Sequence, residues 1–510
     1  MNFKKLKIFL SVLLCLAMVL SLTSIAGFSA LADDGDGGEN VEIPHITESE
    51  WDISVPQIYI YTEEGNGLSL LKADGYVNSE VTIKDVDGTT LTDAASFKVR
   101  GNTTSLYWID KKPFTFKFNK KKNVLGLGSG KKWALIANAF DPTLLRNRVA
   151  FDLAKQLGLE YTSNQRFVEL WVDGSYRGLY ALYEPVEEGK DRVNIDIEGN
   201  DGKKDFMIEY EAMREEEDVT YFKVDGLRFI ASEPDEPDEE QLAYIQSTMD
   251  DIVKTMKSGT RAQIEEKIDV ESFVKFYVLN EYLKTFDFSV SSVNFYYKDG
   301  KLYAGPPWDY DLSGGNNAPE YSARAADADK TDGLFAAGKN LYLYLIKKGW
   351  FYAQVRDVYS QNADYIAGIS ADGGLLDTLR AQYATEIDRN YTVYSVSKHW
   401  INNQKKPLPT YDENYDYLKN WYKERHIWLG EYLSALPDPY IKGDANGDGK
   451  VNISDATLLQ RVLADSKVED SDNVIMRGKV MTGALSVKDV TELQRYVAEY
   501  DNLYHIGDYA

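Results

Sequence analysis

The chain has 510 residues, with 81 acidic and 57 basic side chains, a formal net charge of −24, four histidines and one cysteine. So acidic a surface repels nucleic acid and anionic lipid, which argues against both as partners. The length suggests roughly two to four domains, and 44% apolar content with 13% aromatics is enough to build their cores.

The opening stretch MNFKKLKIFLSVLLCLAMVLSLTSIAGFSALA sets Lys4, Lys5 and Lys7 before an apolar run and ends in Ala30-Leu31-Ala32. That is the layout of a secretory signal peptide, so residues 1–32 are expected to be cleaved. Cys15, the single thiol, would leave with them. It follows Leu14, where a lipoprotein signal wants a small residue, so no lipid anchor is expected. No other stretch reaches the roughly 18 uninterrupted apolar residues of a membrane span. The mature chain is expected to be exported, without membrane insertion and without disulfides. Residues 33–51 are polar and Gly-rich, a linker.

From residue 52 to 436 the pattern is continuous and globular, strand-rich to about residue 200 and helical from about 240. Early strands include VPQIYIYT (55–62) and KKPFTFKF (111–118). GLGSGKK (126–132) has Leu125 and Lys132 where a Walker A loop needs glycine and serine or threonine, and is expected to be a glycine-rich turn. LLRNRVAFDLAKQLG (144–158) is a helix, and FVELWVDGSYRGLYALYEPV (167–186) a hairpin turning at Asp173-Gly174. SEPDEPDEEQ (232–241) leads into a helix over 242–257, and residues 340–366 read as helical.

The chain has no HExxH and no GxSxG. Catalysis would fall to carboxylates or lysines. NFYYK (294–298) and KLYAG (301–305) flank Asp299-Gly300, a two-residue hairpin signal that sets Asn294 opposite Gly305. Asp287, Asn294, Asp309 and Asp311 then gather at one mouth, where a divalent cation would relieve their repulsion. Protein kinases use a loop aspartate, a metal-binding asparagine, a hairpin and a further metal-binding aspartate in this order. Here Asp287 and Asn294 lie seven residues apart rather than five, and no His-Arg precedes the aspartate. A polar hairpin with solvated acids, and a calcium site without catalysis, remain alternatives on spacing alone.

LPDPYIKG (436–443) is a stiff linker to a small terminal unit. In DANGDGKVNISD, Asp444, Asn446, Asp448, Gly449, Lys450, Asn452 and Asp455 occupy positions 1, 3, 5, 6, 7, 9 and 12 of an EF-hand-type calcium loop. The helix SDATLLQRVLA (454–464) follows, and KDVTELQRYVA (488–498) repeats it. The second loop, GKVMTGALSVKD (478–489), has Gly478, Val480 and Thr482 where the first has Asp444, Asn446 and Asp448. One bound Ca²⁺ is expected, not two. Residues 443–500 resemble a type I dockerin, which implies a cohesin on a scaffoldin as partner. Ile453 and Ser454 would lie on the cohesin face in the first half, Val487 and Lys488 in the second.

FKVRGNTTSLYWIDKKPFTFKF (97–118), KKWALIANAFDPTLLRNRVAFDLAKQLGL (131–159), RFVELWVDGSYRGLYALYEPVEEGKDRVNI (166–195) and YAGPPWDYDLSGG (303–315) resemble, in order, the motifs of the CotH family of spore-coat protein H kinases. The resemblance implies a two-lobed atypical protein-kinase-like fold that binds ATP with Mg²⁺ or Mn²⁺ and phosphorylates serine or threonine on proteins. It implies Asp287 as catalytic aspartate, Asn294 and Asp309 as metal ligands, and Asp311 as their assistant. Lys112 and Lys117 are candidates for the phosphate-binding lysine, on opposite faces of their strand; Arg100 and Arg146 are alternatives. The segment Tyr183–Val186 resembles the kinase stretch that holds adenine by its backbone.

The expected fold is thus α+β: a kinase-like domain over 52–436, a linker at 437–443, and a small all-α calcium-binding dockerin with a duplicated loop-helix over 444–502. The expected location is an extracellular or cell-surface cellulosome complex. A non-catalytic structural or adhesive component and a carbohydrate-active enzyme are the rival classes.

Overall fold

A computed structural model describes residues 53–199, 204–216, 219–318, 327–398, 400 and 404–508. The expected leader and the whole of the first linker lie outside them. Seven strands, β1 (Gln57–Thr62), β2 (Val77–Lys84), β3 (Thr90–Val99), β4 (Phe114–Asn123), β5 (Ser129–Ile136), β6 (Gln165–Val172) and β7 (Ser175–Tyr183), close into a barrel in the order β1-β2-β3-β4-β5-β7-β6. Alternation drives the closure. Phe97, Val99, Phe114, Phe116, Trp133 and Leu135 point inward to one apolar core, while the intervening residues face outward. The parallel pairing of β1 with β6 completes the ring.

Gly128 and Gly130 are explained by packing rather than by phosphate, and Gly126 by its positive φ of 74°. A Cβ on Gly130 would collide with the Arg192 guanidinium, and one on Gly128 would lie 2.6 Å from Glu184 Oε1. Arg192 also donates to the Lys132 carbonyl and stacks over Trp133, tying the segment after β7 to β5. Gly130→Ala is expected to displace Arg192 and lower stability by about 1–3 kcal/mol, the usual cost of overpacking, read by urea denaturation.

Between barrel strands β5 and β6 runs α1 (Arg146–Gln156), the predicted helix. After the barrel comes a five-stranded sheet, of which the sequence patterns revealed only the hairpin turning at Asp299-Gly300. It comprises β8 (Phe206–Tyr210), β9 (Tyr221–Val224), β10 (Leu227–Glu233), β11 (Val293–Lys298) and β12 (Lys301–Ala304), ordered β12-β11-β8-β10-β9. The expected helical second half is therefore mixed. The helix expected at 242–257 is α2 (Glu239–Ser258), started by Asp238, whose carboxylate caps Gln241 in a capping box. Then come α3 (Arg261–Lys267), α4 (Val270–Leu283), α5 (Gly349–Gln361), α6 (Ala363–Ser370), α7 (Leu375–Gln382), α8 (Ala384–Val393) and α9 (Tyr411–Ser434). The helical stretch expected over 340–366 is broken. A 3₁₀ turn at Asn340–Tyr344 precedes α5, and Asn362 separates α5 from α6.

The terminal unit carries α10 (Ile453–Leu463), α11 (Ser471–Gly478) and α12 (Val487–Val497) around its own core of Ala445, Ala456, Leu459, Val474, Val480, Val490 and Leu493. α10 and α12 are the two repeated helices; α11 between them was not foreseen. Each repeat buries one aspartate, Asp455 and Asp489, in a capping box at its helix start.

Candidate functional site

The hairpin that frames the site forms at the expected residues. Asp299 and Gly300 both adopt positive φ, 51° and 88°, as the tight turn demands. Phe295 pairs with Ala304, and Gly305 N donates to the Asn294 carbonyl at 2.9 Å. The chain before β11 and the chain after β12 therefore emerge together.

Asp287 arrives from the other direction. Lys284 ends α4 in the left-handed conformation and turns the chain into a 3₁₀ helix, Phe286–Ser289, that carries Asp287. Asp309 and Asp311 sit on the loop after β12. Asp309 itself has a φ of 62°, a strain of about 1 kcal/mol or more for a non-glycine residue. Ligand oxygens of Asp287, Asp309 and Asp311 all lie within 4.8 Å of one another. No other set of three acidic, histidine or cysteine side chains reaches that spacing among the described residues.

The loop is pinned from α1. Arg146 Nε donates to Ser313 O at 2.9 Å and Nη2 to Gly314 O at 3.3 Å, while Tyr310 N donates to Asn147 Oδ1 at 2.8 Å. Arg146 also pairs with Asp141 at 2.5 Å, with both side chains buried. Gly315 takes a φ of 75° and a Cβ there would meet Trp421 at 2.5 Å, so only glycine fits beneath α9. Arg146 is thus not a phosphate ligand, contrary to expectation; it positions the aspartate loop.

Burial and mutual repulsion act on the three carboxyls. Burial, then the charge of Asp309, pushes Asp287 well above the ordinary carboxylate range. Burial, then Asp309 and Asp287, does the same to Asp311. Burial raises Asp309 as well, while Arg214 and Arg100 hold it down. Glu209 on β8 is pushed up to about 7, chiefly by burial. Such a set favours a bound cation, and all-oxygen donors suit magnesium or manganese.

Above the carboxylates lies a cleft of two adjoining cavities, of about 530 and 370 Å³. Lys72, Arg100, Gly101, Glu209 and Trp308 line both. Register explains the roof. Lys98 pairs with Thr115, and Thr115 with Ala134, so these three share the outward face of the barrel with Arg100 and Lys132. Arg100 stacks over Trp308 at 5.3 Å, facing Asp309. Pro185 and Val186, just beyond β7, border the smaller cavity together with Asn294.

The two favoured lysines are not there. Lys112 precedes β4 and donates to Leu70 O at 3.2 Å, lining neither cavity. Lys117 shares the roof face through its pairing with Lys132 but is exposed and lines neither cavity. The cleft-lining lysines are Lys72, Lys98 and Lys132. Burial lowers the proton affinity of Lys98 and of Lys132. Lys132 pairs with Glu187 at 2.7 Å, whereas Lys98 lies 4.5 Å over the Tyr76 ring. Its position could have been found from the sequence, because Lys98 stands two residues before Arg100 and strand alternation puts both on one face.

A sequence profile of the family described as CotH kinase protein matches residues 97–429. The chain belongs to this family. The match spans the roof strands, α1, the aspartate loop and most of α9, which are the elements that build the CotH site here. No curated protein matches the chain.

The terminal loop is arranged around Asp444, whose carboxylate accepts the N–H groups of Gly447, Asp448 and Gly449. Asp455 accepts those of Asn446 and Asn452 and is raised by burial and then by Asp444 and Asp448. The oxygens of Asp444, Asn446, Asp448 and Asp455 suit calcium in kind. In the second loop Asp489 is satisfied by Val480, Met481 and Ser486, and Lys479 Nζ donates to the Gly483 carbonyl at 2.8 Å.

Proposed function

We propose that the chain is an ATP-dependent phosphotransferase acting on serine or threonine hydroxyls of a protein substrate. One observation carries the reading: three carboxylates within 4.8 Å of one another line a cavity with Lys72 and Arg100, and Lys98 and Lys132 line the cavity adjoining it. Asp287 is the group to accept the hydroxyl proton, carried by the 3₁₀ helix to within reach of Asp309 and Asp311. Asn294, Asp309 and Asp311 would hold Mg²⁺ or Mn²⁺, which supplies charge neutralisation across the phosphate oxygens. Lys98 and Arg100 attract the same phosphates from above, and the backbone at Pro185 and Val186 borders the space for the base. Catalysis of this kind is positioning and electrostatics.

The test is transfer of labelled phosphate from ATP with Mg²⁺ or Mn²⁺, to the chain itself and to added proteins, with Asp287→Asn as control. Wild-type labelling that the variant loses supports the reading. No labelling and no nucleotide-induced rise in melting temperature would favour a non-catalytic component instead.

The terminal unit is proposed to be a dockerin-type tether that binds a cohesin and holds the exported chain in an extracellular or cell-surface assembly. Its support is the duplicated loop-helix and the calcium-type donor order of Asp444, Asn446, Asp448, the Lys450 carbonyl, Asn452 and Asp455. Calorimetric titration with Ca²⁺ is expected to reveal one site per chain, lost in Asp444→Ala. Two sites would contradict the reading of the second loop, where Asp489 and Lys479 already satisfy their surroundings.

A further inference from the structure

We propose that Arg214 is a further catalytic residue, a guanidinium fork that grips the phosphoryl group from the acceptor side as it passes to the hydroxyl. The proposal rests on the phosphotransferase reading for its reaction, and on residues outside both the aspartate loop and the barrel roof for its geometry.

The chain leaving β8 is fastened beside Asp287. Ala212 N donates to the Val290 carbonyl at 2.7 Å, while Val290 N and Ser291 N each donate to the Asp287 carbonyl at 2.8 Å. Met213, Arg214, Asp287, Val290 and Ser291 accordingly line the larger cavity together. The Arg214 side chain is held by its own turn. Glu211, only 1% exposed, accepts the N–H groups of Met213 and Arg214 on Oε1, both at 2.7 Å, and Arg214 Nε on Oε2 at 3.0 Å. Arg228 on β10 donates to the carbonyls of Glu211 and Arg214, which pins the backbone of that turn to the sheet.

Glu211 uses only Nε of the guanidinium. Nη1 and Nη2 have no protein partner among the described residues, and the side chain, 39% exposed, borders the larger cavity. Its charge bears on Asp287 and on Asp309, opposing the upward push of burial on both. Arg100 enters the same cavity from the barrel, whereas Lys72 there is taken up by Asn102 and Glu216. A phosphoryl group between Arg100 and Arg214 is therefore clamped from the barrel and from the five-stranded sheet. A planar fork suits phosphate oxygens two at a time. As the acceptor oxygen bonds to the γ-phosphorus, the bond to the β–γ bridging oxygen breaks, its electron pair leaves on ADP, and the hydroxyl proton passes to Asp287. A contact that is stronger during this exchange than with bound ATP speeds the chemical step without tightening the ground state.

The experiment compares the full chain as wild type, Arg214→Lys and Arg214→Met, all with Mg²⁺. It measures the rate of labelled-phosphate transfer at saturating ATP, and by calorimetry the binding of a non-hydrolysable ATP analogue and of ADP with aluminium fluoride, a mimic of the group in flight. Arg214→Lys keeps a cation for Glu211, so its melting temperature should match wild type. A transfer rate about 10²-fold lower in both variants, with an equal loss of affinity for ADP–aluminium fluoride and the ATP analogue bound as in wild type, supports the proposal. Unchanged transfer or unchanged aluminium fluoride affinity in Arg214→Lys overturns it and leaves the phosphotransferase reading standing. A loss shared equally by the ATP analogue, or a fall in melting temperature alone, assigns Arg214 to holding Glu211 and overturns it as well. A wild type that neither binds the nucleotides nor transfers phosphate sinks the phosphotransferase reading, and the role of Arg214 with it.

Discussion

Replacing Asp309 by Asn is expected to reduce phosphoryl transfer by about 10³-fold or more, and at the same time to raise the melting temperature of the metal-free chain. The first effect follows because Asp309 is common to the aspartate trio and to the field of Arg100, so its loss removes charge where the transferred group must be neutralised. The second follows from repulsion. Asp287, Asp309 and Asp311 are all raised, with burial the largest cause and neighbouring carboxylates adding to it for Asp287 and Asp311. A carboxyl whose folded value lies above its unfolded value binds protons more tightly when folded. Its stabilising contribution is therefore fully present below about pH 4 and lost as pH rises through the folded value. The metal-free wild type should lose stability over that climb, and Asp309→Asn should lose less. Added Mn²⁺ should restore the wild type and leave the variant nearly unchanged. Thermal unfolding at several pH values, with and without the ion, checks this; a variant no more stable than wild type in the absence of metal would contradict the repulsion argument.

Breaking the pair between Arg425 and Glu281 is expected to cost about 3–5 kcal/mol, the range for stranding one partner of a buried ion pair. Their side chains are 0% and 2% exposed and meet at 2.8 Å. Glu281, on α4, also accepts the N–H groups of Phe335, Ala336 and Ala337. Arg425, on α9, donates to the carbonyls of Thr331 and Gly333. The pair therefore holds residues 331–337 against two helices. Arg425→Met should lower the urea midpoint strongly and make that segment the first to lose hydrogen-exchange protection. Combining it with Glu281→Gln should recover part of the loss, since no buried charge then remains unpaired. Equal losses in single and double variants would mean that the stranded charge is not what makes the single substitution costly.

Much of the site was legible because it depends on local rules. The Asp299-Gly300 turn fixes the register of β11 and β12, and Asn294 lines the smaller cavity, which adjoins the larger one lined by Asp287, Asp309 and Asp311. The barrel strands were legible through alternation, as at Phe114, Phe116 and Phe118. What failed depends on distance in sequence. Lys112 and Lys117 carry the right charge on the right stretch, but only the pairing of β3 with β4 and β5 decides which outward lysines look into the cleft, and that pairing selects Lys98 and Lys132. Arg146 looked like a surface cation on a helix; its partners at Ser313 and Gly314 lie more than 160 residues away. Glu209 went unnoticed because β8 is a short strand whose place beside β11 no local pattern announces.

The anchoring of the aspartate loop has a pharmacological corollary. Inhibitors that gain selectivity by swinging a loop of the site out of its seat need a loop that can leave. Here Arg146 and Asn147 grip it from one side, Gly315 lies flat under Trp421 on another, and Gly314 N is held by Leu283 O at 2.8 Å. Compounds against this chain must therefore compete for space already open between the barrel and the five-stranded sheet.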